Sequence, residues 1–215
     1  MKHWKDALHP IYRMAGHAVC WLFRCRTVLC DRISPPDSDS ILFVSHPDDD
    51  ALFFHTFLVS EKPYVVLLFT GWSLRRLPDF FKAMKHYGVR CRAYSEVSED
   101  TRHDEKRLKR TEKRVRSCLK IGSFSRVLTH NASGEYGHHT HRMVHQAVVA
   151  SCRGDEAIYC PVDRAKIERY PLGPEALKEK EYVFTHIYRS EAWVMTDEAA
   201  GTPVWFTHER LEKIQ

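Results

Sequence analysis

A histidine followed by a run of carboxylates occupies residues 45–50, which read Ser-His-Pro-Asp-Asp-Asp. Like charges this close raise one another's pKa unless a cation neutralises them, and a bound metal ion would do so. A catalytic zinc site typically has three protein ligands, His nitrogens and Asp oxygens among them, and one open position. The alternative interpretation is that Asp48 or Asp49 caps the helix that begins near Ala51 and interacts favourably with its dipole.

A second group, with five histidines within residues 130–145, follows another short apolar run. His138 and His141 are three residues apart, and His141 and His145 are four apart, so either pair lies on one face of a helix. One His and one Asp from residues 45–50, with one His from this group, would complete a zinc-binding set. For any one of these residues, a surface histidine without a metal is the alternative.

Both groups come directly after stretches that are typical of buried strands. Short apolar runs predict strands over 41–44, 64–69, 91–94, 126–129 and 157–160. The segments between and after them predict helices over 51–59, 77–87, 104–120, 142–151 and 174–188. This alternation predicts an α/β fold, a Rossmann-like three-layer sandwich with a mostly parallel sheet. Ligands of such sheets bind beyond the carboxyl ends of the strands, so we expect the chemistry just after Val44, Phe69 and Thr129.

Four motifs resemble those of a known enzyme family. His46-Pro47-Asp48-Asp49 is similar to the signature of the LmbE/PIG-L-like zinc deacetylases, which include N-acetylglucosaminyl-phosphatidylinositol de-N-acetylase and the deacetylases of mycothiol and antibiotic biosynthesis. Residues 134–141 resemble the family motif G-x-Y-G-H-x-x-H. Residues 76–88 follow the pattern R-x-x-E-x-x-x-A-x-x-x-L-G, and residues 188–191 resemble the closing Y-x-S-Q. The resemblance extends from residue 41 to about residue 191, with the motifs in the family's order.

The resemblance implies a zinc-dependent amidohydrolase that removes an N-acetyl group from an N-acetylated amino sugar or glycoconjugate. It implies one Zn²⁺ per chain, bound by His46, Asp49 and His141. The partner would be a small-molecule or glycoconjugate substrate. If His141 proved not to be a ligand, His145 would be the substitute.

The resemblance also implies the catalytic and substrate-binding residues. Asp48 would be the general base and His138, as an imidazolium, the group that stabilises the oxyanion. Arg76 would contact the sugar, and Tyr136 would lie near the acyl group.

The chain departs from the family pattern at several positions. Thr140 replaces an Asp that many members have beside the ligand His, which is expected to leave His138 less well held and its pKa lower. His139 replaces a Pro, and Asp79 replaces the usual Glu. The turn after the second strand, at 71–73, differs from the family's Gly-rich turn, which affects the substrate more than the chemistry.

The composition excludes several classes of protein. The 215 residues are 43% hydrophobic and 28% charged, as in a folded globular chain rather than a disordered one. Seven cysteines, an odd number without a C-x-x-C pair, argue against a disulfide framework and a zinc ribbon, and favour reduced thiols in the cytoplasm. Residues 1–34 are predicted to be a helical extension before a deacetylase domain over 35–215.

Two segments leave other partners open. The apolar stretch 18–23 is too short to span a bilayer and lacks a convincing cleavage site, so it is interpreted as part of a packed helix or as a peripheral contact with the inner face of the membrane. Residues 103–120 carry eight Lys or Arg and three Asp or Glu, an excess equal to the net charge of +5 of the whole chain. This segment is typical of a solvated helix face. The alternatives are a degenerate relative that binds an anionic polymer or membrane through this helix, and a metal-dependent phosphoesterase; nucleic acid is disfavoured because no aromatic residues interleave with the basic ones.

Overall fold

The computed structural model describes residues 37–70, 76–94 and 105–215. Within these ranges the strands of one sheet are β1 (Ser40–Val44), β2 (Tyr64–Leu67), β3 (Cys91–Ala93), β4 (Arg126–Leu128), β5 (Ala157–Pro161) and β6 (Leu211–Lys213). The strand order is β3-β2-β1-β4-β5-β6. Strands β1 to β5 are parallel, and β6 is antiparallel to β5. The predicted α/β fold with a mostly parallel sheet is confirmed.

The helices cover the two faces of the sheet. They are α1 (Asp49–Glu61), α2 (Arg76–Tyr87), α3 (Glu105–Leu119), α4 (His139–Val149), α5 (Arg164–Ile167), α6 (Pro174–Tyr182) and α7 (Pro203–Thr207). The single helix predicted over 174–188 is wrong in detail, because α6 ends at Tyr182 and the chain continues as a π-helical turn (Val183–Ile187) and a 3₁₀ helix (Arg189–Met195). The sequence did not predict α5, α7 or β6, which are too short to show a clear periodicity.

The sheet separates two hydrophobic cores. Along β1, Leu42 and Val44 point into a core shared with α1, α2 and α6, whereas Ile41 and Phe43 point into a core shared with α3 and α4. Each of these four strand residues is fully buried. This arrangement follows from the period of two in a strand, and it explains why a strand buried on both faces reads as an unbroken apolar run.

A buried ion pair interrupts the backbone hydrogen bonding of α1. The helix is kinked at Phe54 (φ −135°, ψ 20°). The carbonyl of Leu52 accepts a hydrogen bond from Lys180 Nζ at 2.6 Å, and the amide of Thr56 donates to Glu209 Oε1 at 2.9 Å. These two groups would bond each other in a regular helix. Lys180 Nζ lies 3.9 Å from Glu209 Oε2, so the ion pair replaces the missing helical bond.

Some predictions fall outside the part of the chain that the structure describes. These are the helical extension over 1–34, the boundary that separates it from the domain, and the turn at 71–73. Among the helices in the described ranges, none has both the length and the apolar character needed to cross a membrane.

Candidate active site

The two polar groups lie at neighbouring positions on the carboxyl edge of the sheet. Strands β1 and β4 pair in parallel, with Ser40 opposite Arg126 and Leu42 opposite Leu128. The order of the strands reverses between them, which is the point where open α/β sheets form a ligand crevice. The segment from β1 to α1 carries the first group, and the segment from β4 to α4 carries the second. The structure therefore brings the two predicted groups together.

The carboxylate of Asp49 is the centre of the site. Its Oδ2 atom lies 3.5 Å from His46 Nδ1 and 3.3 Å from His141 Nε2, and it accepts a hydrogen bond from the His46 amide at 2.7 Å. All three side chains are buried. Their potential ligand atoms belong to two overlapping groups that could hold a metal ion, namely His46, His138 and His141, and Asp49, His130 and His141. Two nitrogens and a carboxylate oxygen at this spacing form a donor set that suits a divalent metal such as zinc.

His141 has the geometry of a metal ligand. Its Nδ1 atom lies 2.7 Å from Glu135 Oε2, and a carboxylate at this distance keeps the ring proton on Nδ1. Its buried Nε2 atom has no hydrogen-bond partner within the described ranges, although an unpaired polar atom is costly in a protein interior. A carboxylate behind the far nitrogen of a histidine is the usual support for a metal-binding imidazole. These residues therefore fit a bound metal.

His130 and Glu135 belong to the site although the sequence did not single them out. His130 is fully buried and stacks on His141, with 3.9 Å between ring centroids. Its Nδ1 atom faces Glu135 Oε2 at 3.2 Å, and its Nε2 atom accepts a hydrogen bond from the Ser45 amide at 3.0 Å. With Asp49 and His141, His130 also forms one of the two groups that could hold a metal ion. The sequence feature that could have identified His130 is its position just after the strand at 126–128.

Asp48 differs from its neighbour Asp49 in protonation behaviour. Burial raises the pKa of Asp48 well above its usual range; Arg76 opposes this effect, and the charges of Asp49 and Glu191 add to it. The pKa of Asp49 lies well below its usual range, because the neighbouring His141, His130 and His46 outweigh burial. Two adjacent carboxyl groups whose environments separate their pKa values suit two roles, one as ligand and one as proton acceptor.

The backbone and the side chain of Asp48 are held from opposite sides. Arg76 Nη2 donates to Asp48 Oδ1 at 2.5 Å and to the carbonyl of Pro47 at 2.6 Å. The Asp48 amide donates to Asp50 Oδ1 at 3.1 Å, and Tyr188 donates to the same oxygen at 2.8 Å. Asp48 has a φ of 100°, which is strained for a residue with a side chain. Its side chain makes no capping hydrogen bond to α1, so the capping interpretation is not supported for Asp48.

His138 lies beside the candidate ligands and is neutral. Its ring meets that of His46 edge to face, with 4.9 Å between centroids. Burial, and then the neighbouring His141 and His46, lower the pKa of His138 to about 3. The direction agrees with the expectation from Thr140, but the expected imidazolium is wrong because the ring has no carboxylate of its own. A neutral imidazole still offers an N–H donor.

The substitute ligand expected from the sequence, His145, faces away from this group. Its Nδ1 atom lies 2.7 Å from the carbonyl oxygen of His130, to which it donates as a turn-stabilising contact. Among the described residues, His145 belongs to neither group that could hold a metal. Of the predicted ligands, His141 belongs to both groups, His46 to one and Asp49 to the other.

A cavity of about 510 Å³ opens above these residues. Arg76 and Tyr136, the predicted substrate contacts, line its walls together with Glu191 and Trp193. Trp205 and Phe206, the other aromatic residues near the C-terminus, are buried in the core instead. The complete lining is His46, Asp48, Asp49, Arg76, Tyr136, Gly137, His138, His139, Thr140, Glu191 and Trp193.

Two basic features of the structure lie away from this site. A larger cavity of about 760 Å³ lies at the amino ends of β4 and β5, where Arg116, Lys120 and Arg153 contribute to its lining, and it contains none of the candidate catalytic residues. Helix α3 packs its apolar side chains, such as Val115, into the core and exposes a basic face. Two of its basic residues pair with acidic residues one turn earlier, Lys109 with Glu105 and Arg116 with Glu112. The solvated-face interpretation of α3 therefore accounts for its sequence.

Comparison with known sequences does not assign the chain to a family. No protein-family model matches the chain. An uncharacterized protein of Acanthamoeba polyphaga mimivirus, L374, is 24% identical over 125 residues, which are 50% of this chain and 55% of that protein. The chain thus spans about half the length of the curated relative that it matches.

Solved structures share the fold. The A40926 pseudoaglycone deacetylase Dbv21 superposes with a TM-score of 0.61 at 17% identity, covering 79% of this chain and 89% of that one. A triple mutant of a deacetylase of the teicoplanin biosynthetic pathway gives 0.58 at 16% identity, with 76% and 86% covered. GalB, the 4-carboxy-2-hydroxymuconate hydratase of Pseudomonas putida KT2440, gives 0.52 at 14% identity, with 82% and 96% covered. Deacetylases and a hydratase share this fold, so the reaction has to be argued from the site.

Proposed function

We propose that the chain is a zinc-dependent hydrolase that removes the N-acetyl group from an N-acetylated amino sugar or its glycoconjugate. The observation that carries the proposal is the convergence of Asp49, His46 and His141 beside a second carboxylate, Asp48, whose pKa is raised. Motif resemblance to the LmbE/PIG-L-like deacetylases and a fold shared with two antibiotic deacetylases support it. The four free thiols among the described cysteines favour a reducing compartment such as the cytoplasm.

In this proposal His46, Asp49 and His141 hold the metal, and Glu135 keeps the His141 lone pair directed towards it. When bound, Zn²⁺ supplies a water of lowered pKa and polarises the amide carbonyl. Asp48 accepts the proton of the attacking water and returns it to the leaving amine, as general base and then general acid. Its raised pKa brings it closer to neutral pH, where such an exchange is most efficient.

Two further side chains assist the same step. Arg76 fixes the Asp48 carboxylate through a hydrogen bond of 2.5 Å, so the base does not have to be oriented at each turnover. His138 donates an N–H to the oxygen of the reacting carbonyl as a neutral imidazole. A donor of this kind contributes about 3 kcal/mol to stabilisation of the transition state.

The test combines metal analysis with amine release from a panel of N-acetyl sugars. The purified protein is stripped with a chelator and reloaded with zinc, and free amine is measured with a fluorogenic reagent. Asp48→Ala is expected to bind zinc at full stoichiometry and to lose activity by a factor of about 10² to 10⁴, because only the proton acceptor is missing. His141→Ala is expected to lose the metal. His186→Ala, which changes an exposed histidine, is the control and is expected to match the wild type.

Three results would contradict the proposal. Full metal stoichiometry in His141→Ala would overturn the ligand assignment, and undiminished amine release by Asp48→Ala would overturn the assignment of the base. Hydrolysis of a phosphodiester without amine release from any N-acetyl sugar would replace the deacetylase with a phosphoesterase.

A further inference from the structure

We propose that Glu191 selects the substrate by charge, so that the unit bound between Arg76 and Trp193 is an uncharged, hydroxyl-bearing ring and not a phosphorylated or acidic sugar. The inference rests on the proposed deacetylase function and adds the class of substrate to it. Glu191 stands at the last position of the segment that resembles Y-x-S-Q, where the motif has a neutral Gln.

The positive charge of Arg76 is already compensated within the protein. Its Nη2 atom pairs with Asp48 Oδ1 at 2.5 Å, and its Nε atom lies 3.0 Å from Glu191 Oε1. With two partners, its charge no longer favours a phosphate or a carboxylate over a hydroxyl group.

The remaining cavity lining does not restore a positive field. In the part of the chain that the structure describes, the Asp, Glu, Lys and Arg residues of the lining are three carboxylates (Asp48, Asp49 and Glu191) and one guanidinium. A divalent metal ion would therefore bring the formal charge of these groups only to zero. An anionic group entering the cavity would lose its hydration and face Glu191 without a spare cation among the described lining residues, which is costly.

Glu191 and Trp193 also form a rigid contact surface. Trp193 Nε1 donates to Glu191 Oε2 at 3.1 Å, and Ser190 Oγ donates to Glu191 Oε1 at 3.0 Å. Both carboxylate oxygens are thus anchored, and Glu191 itself is 8% exposed. Trp193 is 43% exposed and lines the cavity, so its indole is held in place while part of its surface remains accessible. An aromatic face beside a fixed hydrogen-bond acceptor suits a ring with hydroxyl groups.

The experiment separates binding from turnover. Zinc-loaded protein is titrated by NMR with methyl glucosaminide and with methyl glucosaminide 6-phosphate, which are already free amines and differ only in the phosphate group. The wild type is expected to prefer methyl glucosaminide, and Glu191→Gln to lower that preference by about tenfold, the effect of one charge at contact distance in a partly solvated site. Glu212→Gln removes the same charge from the edge strand β6 and is expected to leave the preference unchanged.

Each outcome decides between the two proposals. Equal or tighter binding of the phosphorylated probe by the wild type, an unchanged preference in Glu191→Gln, or no binding of either probe would overturn charge selection. The wild-type comparison is decisive even if Glu191→Gln does not fold. Amine release from the N-acetylated forms is measured in parallel. Release without discrimination overturns only this inference, whereas discrimination without release overturns the deacetylase function and leaves charge selection in place.

Discussion

Replacing Glu135 by Gln should weaken metal binding without removing any of the three candidate ligands. The Glu135 carboxylate accepts the Asn131 amide through Oε1 at 2.8 Å and faces the Nδ1 atoms of His141 and His130 through Oε2. Glutamine has the same shape but presents an NH₂ group in place of one oxygen. If that group faces His141, the ring proton moves to Nε2, which is the atom that binds the metal. If the glutamine side chain is rotated the other way, its NH₂ group faces the backbone N–H of Asn131, which then loses its hydrogen-bond acceptor.

The magnitude follows from the cost of the wrong tautomer. A ligand histidine without its supporting carboxylate typically loses about 10- to 100-fold in metal affinity. This corresponds to about 1.4 to 2.8 kcal/mol, because each tenfold change in an equilibrium constant is about 1.4 kcal/mol. The effect should be near the upper end here, because Glu135 supports His141 at 2.7 Å in a fully buried position.

Competition with a chromophoric chelator measures this affinity on the stripped protein. Glu212→Gln, a substitution of a half-buried residue on β6, serves as the control for a lost carboxylate. Thermal unfolding of both metal-free variants checks that they remain folded. Wild-type zinc affinity in a folded Glu135→Gln protein would refute the reasoning that this carboxylate sets the His141 tautomer.

Two further predictions concern stability in the metal-free protein. Burial, with smaller effects from Lys180 and His86, lowers the pKa of His55 to about 4, so between this value and about 6.5 the unfolded chain binds more protons than the folded one. Acidification from pH 7 to pH 5 should therefore destabilise the wild type by about 2 kcal/mol more than His55→Asn, and equal urea-unfolding profiles would contradict this. Gly134→Ala places a Cβ atom 2.5 Å from the backbone oxygen of His138 at a φ of +73°, whereas Gly88→Ala at +65° meets no atom within 4 Å. Urea unfolding should show a loss of about 2 kcal/mol or more for Gly134→Ala and about 1 kcal/mol for Gly88→Ala, and equal losses would show that the contact is relieved.

The sequence predicted the parts of the site that depend on local order. His46 to Asp49 and the histidines near His141 could be placed because each segment directly follows an apolar strand, and parallel strands put such segments on one edge. Glu135 and His130 could not be assigned roles, because their contact depends on how residues 130–137 fold back. That turn requires left-handed backbone at Gly134 (φ 73°) and Glu135 (φ 55°), which no helix or strand period reveals.

The charges of the site residues were harder to predict than the positions of these residues. The imidazolium expected at His138 requires a carboxylate partner, and none of the described carboxylates hydrogen-bonds to this ring, whose pKa burial lowers to about 3. The ion pair between Arg76 and Glu191 could not be predicted from the sequence either. Glu191 follows Arg76 by more than a hundred residues, and the 3₁₀ helix that positions Glu191 and Trp193 continues from an irregular π-helical turn.

The ion pair inserted into α1 has a consequence for how the protein folds. Lys180 follows Leu52 by 128 residues, and Glu209 follows Thr56 by 153. During synthesis, the helix that begins with the candidate metal-binding carboxylate is therefore made early, but it cannot adopt its kinked form, in which these two backbone groups bond Lys180 and Glu209, until the last part of the chain has emerged. Contacts of such long sequence separation form slowly because a large loop must close first. The final geometry of the site is in this sense a late product of folding, because a nascent chain that lacks α6 and the segment around Glu209 would hold the candidate catalytic loop on a helix without this kink.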